Sequence, residues 1–238
     1  PEMIRCLPAM MFALAAVALG GVIWPIHGFL SKSAVIAGAI GAGLTLTALL
    51  WTRPVLRVLP PAVFAAIVLV FCLPGRQTDV QALTDRYLIN LRSYEGPRYL
   101  WGGEGGMGID CSGLPRRAYR DAMLFQGLRT LNGSLTRASL DHWLHDASAR
   151  LMADGAGARL VLLAQDGSGL HPDLAPGDVA IVNQKTHVLA YLGEGTWIEA
   201  DPATHRVIVH DGASKETPQL GNDVVWLRWR ELDGKQHQ

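Results

Sequence analysis

The chain has 238 residues, with 21 Lys and Arg set against 21 Asp and Glu, so its formal net charge at pH 7 is zero. Without a basic cluster to track a phosphate backbone, nucleic acid is excluded as an expected partner. Of the three cysteines, Cys6 and Cys72 lie in an apolar N-terminal third and Cys111 stands alone beyond it, which excludes a disulfide within the soluble part.

The charges divide the chain. Residues 1–75 hold only Arg5, Lys32, Arg53, Arg57 and Glu2, whereas residues 76–238 hold the other 17 basic and 20 acidic side chains, a balance of −3 before histidine. Uncharged runs extend from Cys6 to Ser31, from Ser33 to Thr52 and from Val58 to Gly75. Each is close to the roughly 20 residues that cross a bilayer core, so three transmembrane helices are expected over residues 1–75. A cleaved signal peptide, which has one apolar core, explains the first run but not the next two. Arg53 and Arg57 outweigh Lys32 in the short loops, so the second loop and Arg5 are expected in the cytoplasm. Three crossings then put residues 76–238 outside. Gly38, Gly41 and Gly43 in the second helix permit close helix packing.

Thr78 followed by Gln81 reads as a capping box for a helix through Val80, Leu83, Tyr87, Leu88, Leu91 and Tyr94, which Gly96-Pro97 stops. The glycine-rich stretch from Trp101 to Gly108 lacks a following Gly-Lys-Ser/Thr and reads as a tight loop rather than a phosphate loop. Asp110 or Ser112 can cap the next helix, through Leu114, Ala118, Met123 and Leu124, where Pro115 falls in the first turn. A third helix is expected from about Ala138 to Met152, then a strand from Arg159 to Ala164. Short β-branched or aromatic segments follow at Val179–Asn183, His187–Leu192, Thr196–Ala200, Arg206–His210 and Val224–Trp229. Helices first and an antiparallel sheet afterwards make an α+β domain. The tail after Leu232 is expected to be disordered.

A lone thiol facing an oxidising compartment is a liability, so it calls for a functional reason, although a buried small hydrophobe is the ordinary fate of such a residue. At a helix start, Cys111 meets the partial positive charge and amides that favour a thiolate and can hold an oxyanion. A base with an orienting partner is then required. Among His142, His145, His171, His187, His205, His210 and His237, only His187 opens a strand directly after a turn-like Asn183-Gln-Lys-Thr186. With Gly193-Glu194-Gly195 as the hairpin loop, His187, Glu199 and Asp201 share a face, Asp201 directly opposite His187 and Glu199 on the diagonal. Either carboxylate fits the orienting role. His142 and His145, three apart, read as a solvated helix face without a third ligand, and no metal is expected. Trp226 and Trp229 read as sheet packing, while Trp197, beside Glu199, is a candidate to line the groove.

Tyr99-Leu-Trp-Gly-Gly103, Asp110-Cys-Ser-Gly-Leu114, Pro176-Gly-Asp178, His187-Val-Leu-Ala-Tyr-Leu-Gly193 and Ile198-Glu-Ala200 occur in that order. Over roughly residues 80–230 the chain resembles the NlpC-type cell-wall peptidases, papain-like bacterial cysteine enzymes that cut peptidoglycan stem peptides, commonly after D-glutamate. The resemblance implies Cys111 as nucleophile, His187 as base and Glu199 as the third polar residue, favouring it over Asp201. It also implies Tyr99, Asp110 and Ser112 as substrate-binding residues; their plainer roles are a core aromatic and two helix caps. The family more often has His, Asn or Gln where Glu199 stands. The segment from Arg137 to Pro176 exceeds the minimal family domain and either walls the cleft or decorates it. The expected protein is therefore a membrane anchor, residues 1–75, followed by a papain-like hydrolase domain, residues 76–238, on the outer face of a bacterial cytoplasmic membrane. It would act on peptidoglycan stem peptides without a cofactor. Two other readings are a papain-like acyltransferase or hydrolase of lipids or lipoproteins, and a catalytically silent wall-binding subunit.

Overall fold

The computed structural model describes residues 2–166, 173–211, 220 and 223–234. Helices α1 (Glu2–Ile23) and α2 (Phe29–Leu49) form an antiparallel hairpin. Small residues permit the contact: a Cβ on Gly38 would come within 2.8 Å of the Ala18 nitrogen and Leu14 oxygen, and one on Gly41 within 3.0 Å of the Leu14 side chain. Gly43 faces no neighbour within 4 Å. Both helices are long and apolar enough to cross a membrane, with mean hydropathies of 2.2 and 1.5. The third expected span is shorter: a 3-10 turn (Leu56–Val58) leads into α3 (Leu59–Cys72), a 14-residue helix.

Helix α4 (Val80–Ser93) is capped by Asp79, whose carboxylate accepts from the Ala82 amide at 3.0 Å. This corrects the expected Thr78–Gln81 box, since the Gln81 side chain instead donates to Asp85. The glycine-rich loop contains a small hairpin, β1 (Glu104–Gly105) and β2 (Gly108–Ile109), that leads into α5 (Gly113–Thr130). In place of one helix from Ala138 to Met152 there are two, α6 (Gly133–Leu144) and α7 (Ala149–Ala153). Asn132 and Ser148 cap them, and the break between them is held by tertiary ion pairs, Asp146 meeting both Lys32 and Arg116.

The sheet follows from strands β3 (Leu160–Asp166), β4 (Val179–Val182), β5 (His187–Gly193), β6 (Thr196–Asp201), β7 (Arg206–Asp211) and β8 (Val224–Trp229). Among the described residues they form one antiparallel sheet in the order β3-β8-β4-β5-β6-β7. Alternation sends Val179, Ile181, Val188, Ala190, Ile198 and Ala200 against Leu83, Tyr87, Leu114 and Met123 of α4 and α5. The other face packs Trp197 on Trp226 around Ala180, Val182 and Leu189. Trp229 stacks on Tyr119 at 4.6 Å and donates to the Tyr87 hydroxyl, so both C-terminal tryptophans are sheet packing as expected. His171, His237 and the end of the expected disordered tail lie outside the described residues.

Candidate active site

The turn that starts α5 is built around one carboxylate. Asp110 accepts from the amides of Gly102 and Gly113 at 2.9 and 2.6 Å and from the Ser112 hydroxyl at 3.0 Å. It thereby ties the glycine-rich loop to the helix start and holds Cys111 at the N-terminal end of α5, among amides that precede the first helical turn. Cys111 is 7 % exposed, and its sulfur lies 3.9 Å from the Thr186 carbonyl at the entrance to β5. Asp110 thus caps the helix start, and the Ser112 hydroxyl holds Asp110 in place, whatever either does for a substrate.

His187, the first residue of β5, is buried and directly follows Thr186, whose carbonyl meets the Cys111 sulfur. Its Nε2 donates to Glu199 Oε2, which holds the ring in place. Burial would lower the imidazole pKa, but Cys111 and Glu199 more than offset that and hold it up at about 9. The protonated ring is therefore the favoured form at neutral pH.

The two candidate orienting carboxylates separate clearly. Ala190 pairs with Ile198 and Tyr191 with Trp197; the same register, continued, sets Asp201 across from His187 and Glu199 on the diagonal. Glu199 takes the contact, 1 % exposed, whereas both oxygens of Asp201 accept amides of the following turn, from Ala203 at 2.8 Å and Thr204 at 2.9 Å. Glu199 also has a second partner, because His210 Nε2 donates to its Oε1. Trp197 pairs with His210 and Glu199 with Ile208, so His210 reaches Glu199 on the diagonal of the next strand pair. The sequence reading passed over His210; carrying the alternation one hairpin further would have placed it on the face of His187 and Glu199.

Cys111, Tyr99, Asp110 and Ser112 line one cleft of about 450 Å³. Burial, then the neighbouring Cys111 and Asp110, push the Tyr99 phenol up to about 12, so its hydroxyl stays protonated and can donate. Asp146 to Arg150 form another wall, which gives part of the long segment after Arg137 a place in the cleft. Its residues 167–172 lie outside the described residues. Trp197 is fully buried in the second core and does not line the groove, contrary to expectation, because its strand position turns it to the face opposite the helices. His142 is likewise not on a solvated face: it packs against Tyr119 and Trp229, and burial followed by Arg159 lowers it to about 3. Among the described residues no three His, Cys, Asp or Glu side chains gather as a metal site.

A third wall comes from the hairpin turn. Ile26, His27 and Gly28 line the cleft, Ile26 bridges Gly103, and the Glu104 amide donates to the Pro25 carbonyl at 2.8 Å. Glu104, 2 % exposed, is ringed by His27, Arg116 and Arg120. Burial would raise its pKa, but His27, Arg116 and Arg120 together hold it down at about 2.

The model of the NlpC/P60 family matches residues 96–219. No curated protein matches the chain. Among solved structures it is similar to NlpC2 from Trichomonas vaginalis, at 24 % identity over 64 % of this chain and 49 % of that one, with a TM-score of 0.41. It is also similar to the peptidoglycan hydrolase RipB from Mycobacterium tuberculosis, at 21 % identity over 64 % and 67 % of the two chains, TM-score 0.41. A third is the P60 domain of antigen MAP1204 from M. avium subspecies paratuberculosis, at 20 % identity over 63 % and 97 %, TM-score 0.40. The chain spans less than half the length of NlpC1 and NlpC2 from Trichomonas vaginalis, covering 43 % and 49 % of them. With just over half of its residues matched by the family model, the chain belongs to the NlpC/P60 family.

Proposed function

We propose that the chain is a membrane-anchored cysteine hydrolase that cleaves amide bonds of peptidoglycan stem peptides through Cys111, His187 and Glu199. The observation that carries this reading is the buried His187–Glu199 pair set beside Cys111, whose sulfur lies 3.9 Å from the carbonyl of the residue just before His187. In the mechanism it supports, Cys111 attacks the amide carbon as a thiolate whose proton already rests on the His187 imidazolium. The oxyanion develops beside the amides at the start of α5. The imidazolium gives its proton to the departing amine, leaving an acyl-enzyme; His187 then deprotonates the water that releases the acid and so restores the thiolate and the imidazolium. Glu199 holds the ring and balances its charge throughout, and His210 holds Glu199. Tyr99, Asp110 and Ser112 bind the peptide beside the sulfur. Peptidoglycan as substrate is supported by membership of the NlpC/P60 family.

The division into an anchor, residues 1–75, and a hydrolase domain, residues 76–238, is part of the same proposal. Exposed apolar side chains support membrane insertion, among them Phe12, Leu19, Leu44, Phe64 and Leu69, each at 59 % or more. Three crossings are supported by where the helices meet the domain. Lys32, near the start of α2, pairs with Asp146, and at the end of α3 the carbonyls of Phe71 and Leu73 accept from Arg137 at 2.8 Å. The connection carrying Arg53 and Arg57 joins the opposite ends of those two helices, which fits a cytoplasmic loop and an outer-face domain. For the shorter α3, a crossing calls for local thinning or for flanking arginines that reach the interface. The test is to incubate purified wall material with the native protein and with Cys111→Ala, then identify new peptide ends. Turnover of lipid substrates without wall cleavage would favour the lipid reading instead, and unchanged cleavage by Cys111→Ala would remove Cys111 from the reaction.

A further inference from the structure

The connection between two membrane helices would ordinarily be a tether, indifferent to the chemistry beside it. Here it is fixed to the catalytic domain by buried charge and by backbone. His27 lies 3.7 Å from Glu104, which Arg116 and Arg120 meet at 3.0 and 3.1 Å. Lys32, 6 % exposed, pairs with Asp146 at 2.7 Å, and Asp146 also meets Arg116. Glu104, Arg120 and Lys32 are buried in this cluster, so removing the partner of any of them strands a buried charge, and the turn is held against the domain. The backbone contacts from Pro25 and Ile26 to Glu104 and Gly103 fix its height in the loop that leads to Cys111.

What this rigid turn presents is a surface rather than a plug. Ile26 and Gly28 face the same cleft as Cys111 and Tyr99, and a Cβ on Gly28 would meet nothing within 4 Å. Ile26 is 44 % exposed, an apolar side chain left open in the cleft together with Trp101, while Arg116, Asp146, Arg150 and Lys185 bring charge to its edge. A chain lying over Cys111 in this cleft therefore runs against the hairpin turn.

We propose that the turn between the two membrane helices is a substrate-binding wall of the cleft, Ile26 and Gly28 contacting the peptide that Cys111 attacks. The proposal rests on the hydrolase reading above. It makes the anchor a determinant of specificity, and makes the site incomplete without residues 24–28.

The test uses the full chain in detergent micelles. Gly28→Phe fills the open space without a clash at Cβ, Ile26→Ala widens it, and Leu30→Ala, 82 % exposed and outside the cleft, is the control. Two measurements are made: the affinity of purified stem peptides for each variant in a Cys111→Ala background, and KM and kcat with Cys111 intact. Gly28→Phe is expected to weaken affinity and raise KM about tenfold while kcat and the iodoacetamide reactivity of Cys111 stay within about twofold, Ile26→Ala to shift both less, and Leu30→Ala to shift neither. Unchanged affinity in Gly28→Phe overturns the proposal, and so does a Cys111→Ala protein that binds no peptide. Peptide that binds in a Gly28-sensitive way but is never cleaved would instead overturn the hydrolase reading and leave the wall in place.

Discussion

Replacing Glu199 by Gln keeps the shape of the side chain but removes the charge between two imidazoles. His187 sits at about 9 instead of its ordinary 6.5, held there by Cys111 and Glu199 against the effect of burial. That displacement corresponds to about 3 kcal/mol favouring the imidazolium, drawn from both partners. If Glu199 supplies about half of the balance, Glu199→Gln lowers the alkaline limb of the kcat/KM profile by about one unit. An amide can also turn its NH2 toward the ring, selecting the wrong tautomer, so the maximal rate should fall on the order of 10²- to 10⁴-fold. The assay is stem-peptide cleavage from pH 5 to 10, paired with the pH dependence of Cys111 alkylation. Stability carries the same sign: the His187 contribution is complete below about pH 6.5 and is lost as pH rises through about 9. In Glu199→Gln that alkaline loss should shrink. An unchanged alkaline limb with a rate within about twofold of native would refute the role given to Glu199.

His210→Gln leaves Glu199 on His187 but removes the imidazole that holds its second oxygen; the expected result is a smaller rate loss than in Glu199→Gln, about tenfold, read from the same profiles. Asp201→Asn weakens the turn held by the Ala203 and Thr204 amides, so it should cost about 1 kcal/mol in chemical denaturation while leaving the pH profile in place. Glu104 is held down at about 2 from its ordinary 4.5, so its contribution is complete above pH 4.5 and is lost as pH falls toward 2. About 3 kcal/mol is at stake, and Tm measured from pH 6 down to 2.5 should fall steeply in the native protein and less so in Glu104→Gln, which starts lower.

Local pattern carried much of this architecture. The strand from Val224 to Trp229 has the expected ends; between β5 and β6 the expected three-residue loop is a two-residue turn closed by Gly193 and Thr196, and a bulge between Tyr191 and Gly193 restores the expected register, which sets Glu199 on the diagonal from His187. It could not choose between Glu199 and Asp201, because alternation assigns a face and not a rotamer. The choice is made by the Ala203 and Thr204 amides, which occupy Asp201. The break between α6 and α7 was hidden for a related reason: Asp146 is drawn out of a helical run by Lys32, 114 positions earlier, and by Arg116. His142 looked like half of an exposed pair because its burial depends on Tyr119 and Trp229, from other elements. The docking of the hairpin turn beside Cys111 is likewise a long-range event, visible only when the apolar third and the charged remainder are seen together.

The central claim is that Cys111 attacks a wall peptide with His187 as its base. Purified wall material incubated with native protein, Cys111→Ala and His187→Ala, with new peptide ends identified by mass spectrometry, tests it most directly. The account predicts new amine and carboxylate ends within the stem peptide for the native protein alone. Equal release of those ends by Cys111→Ala would contradict it.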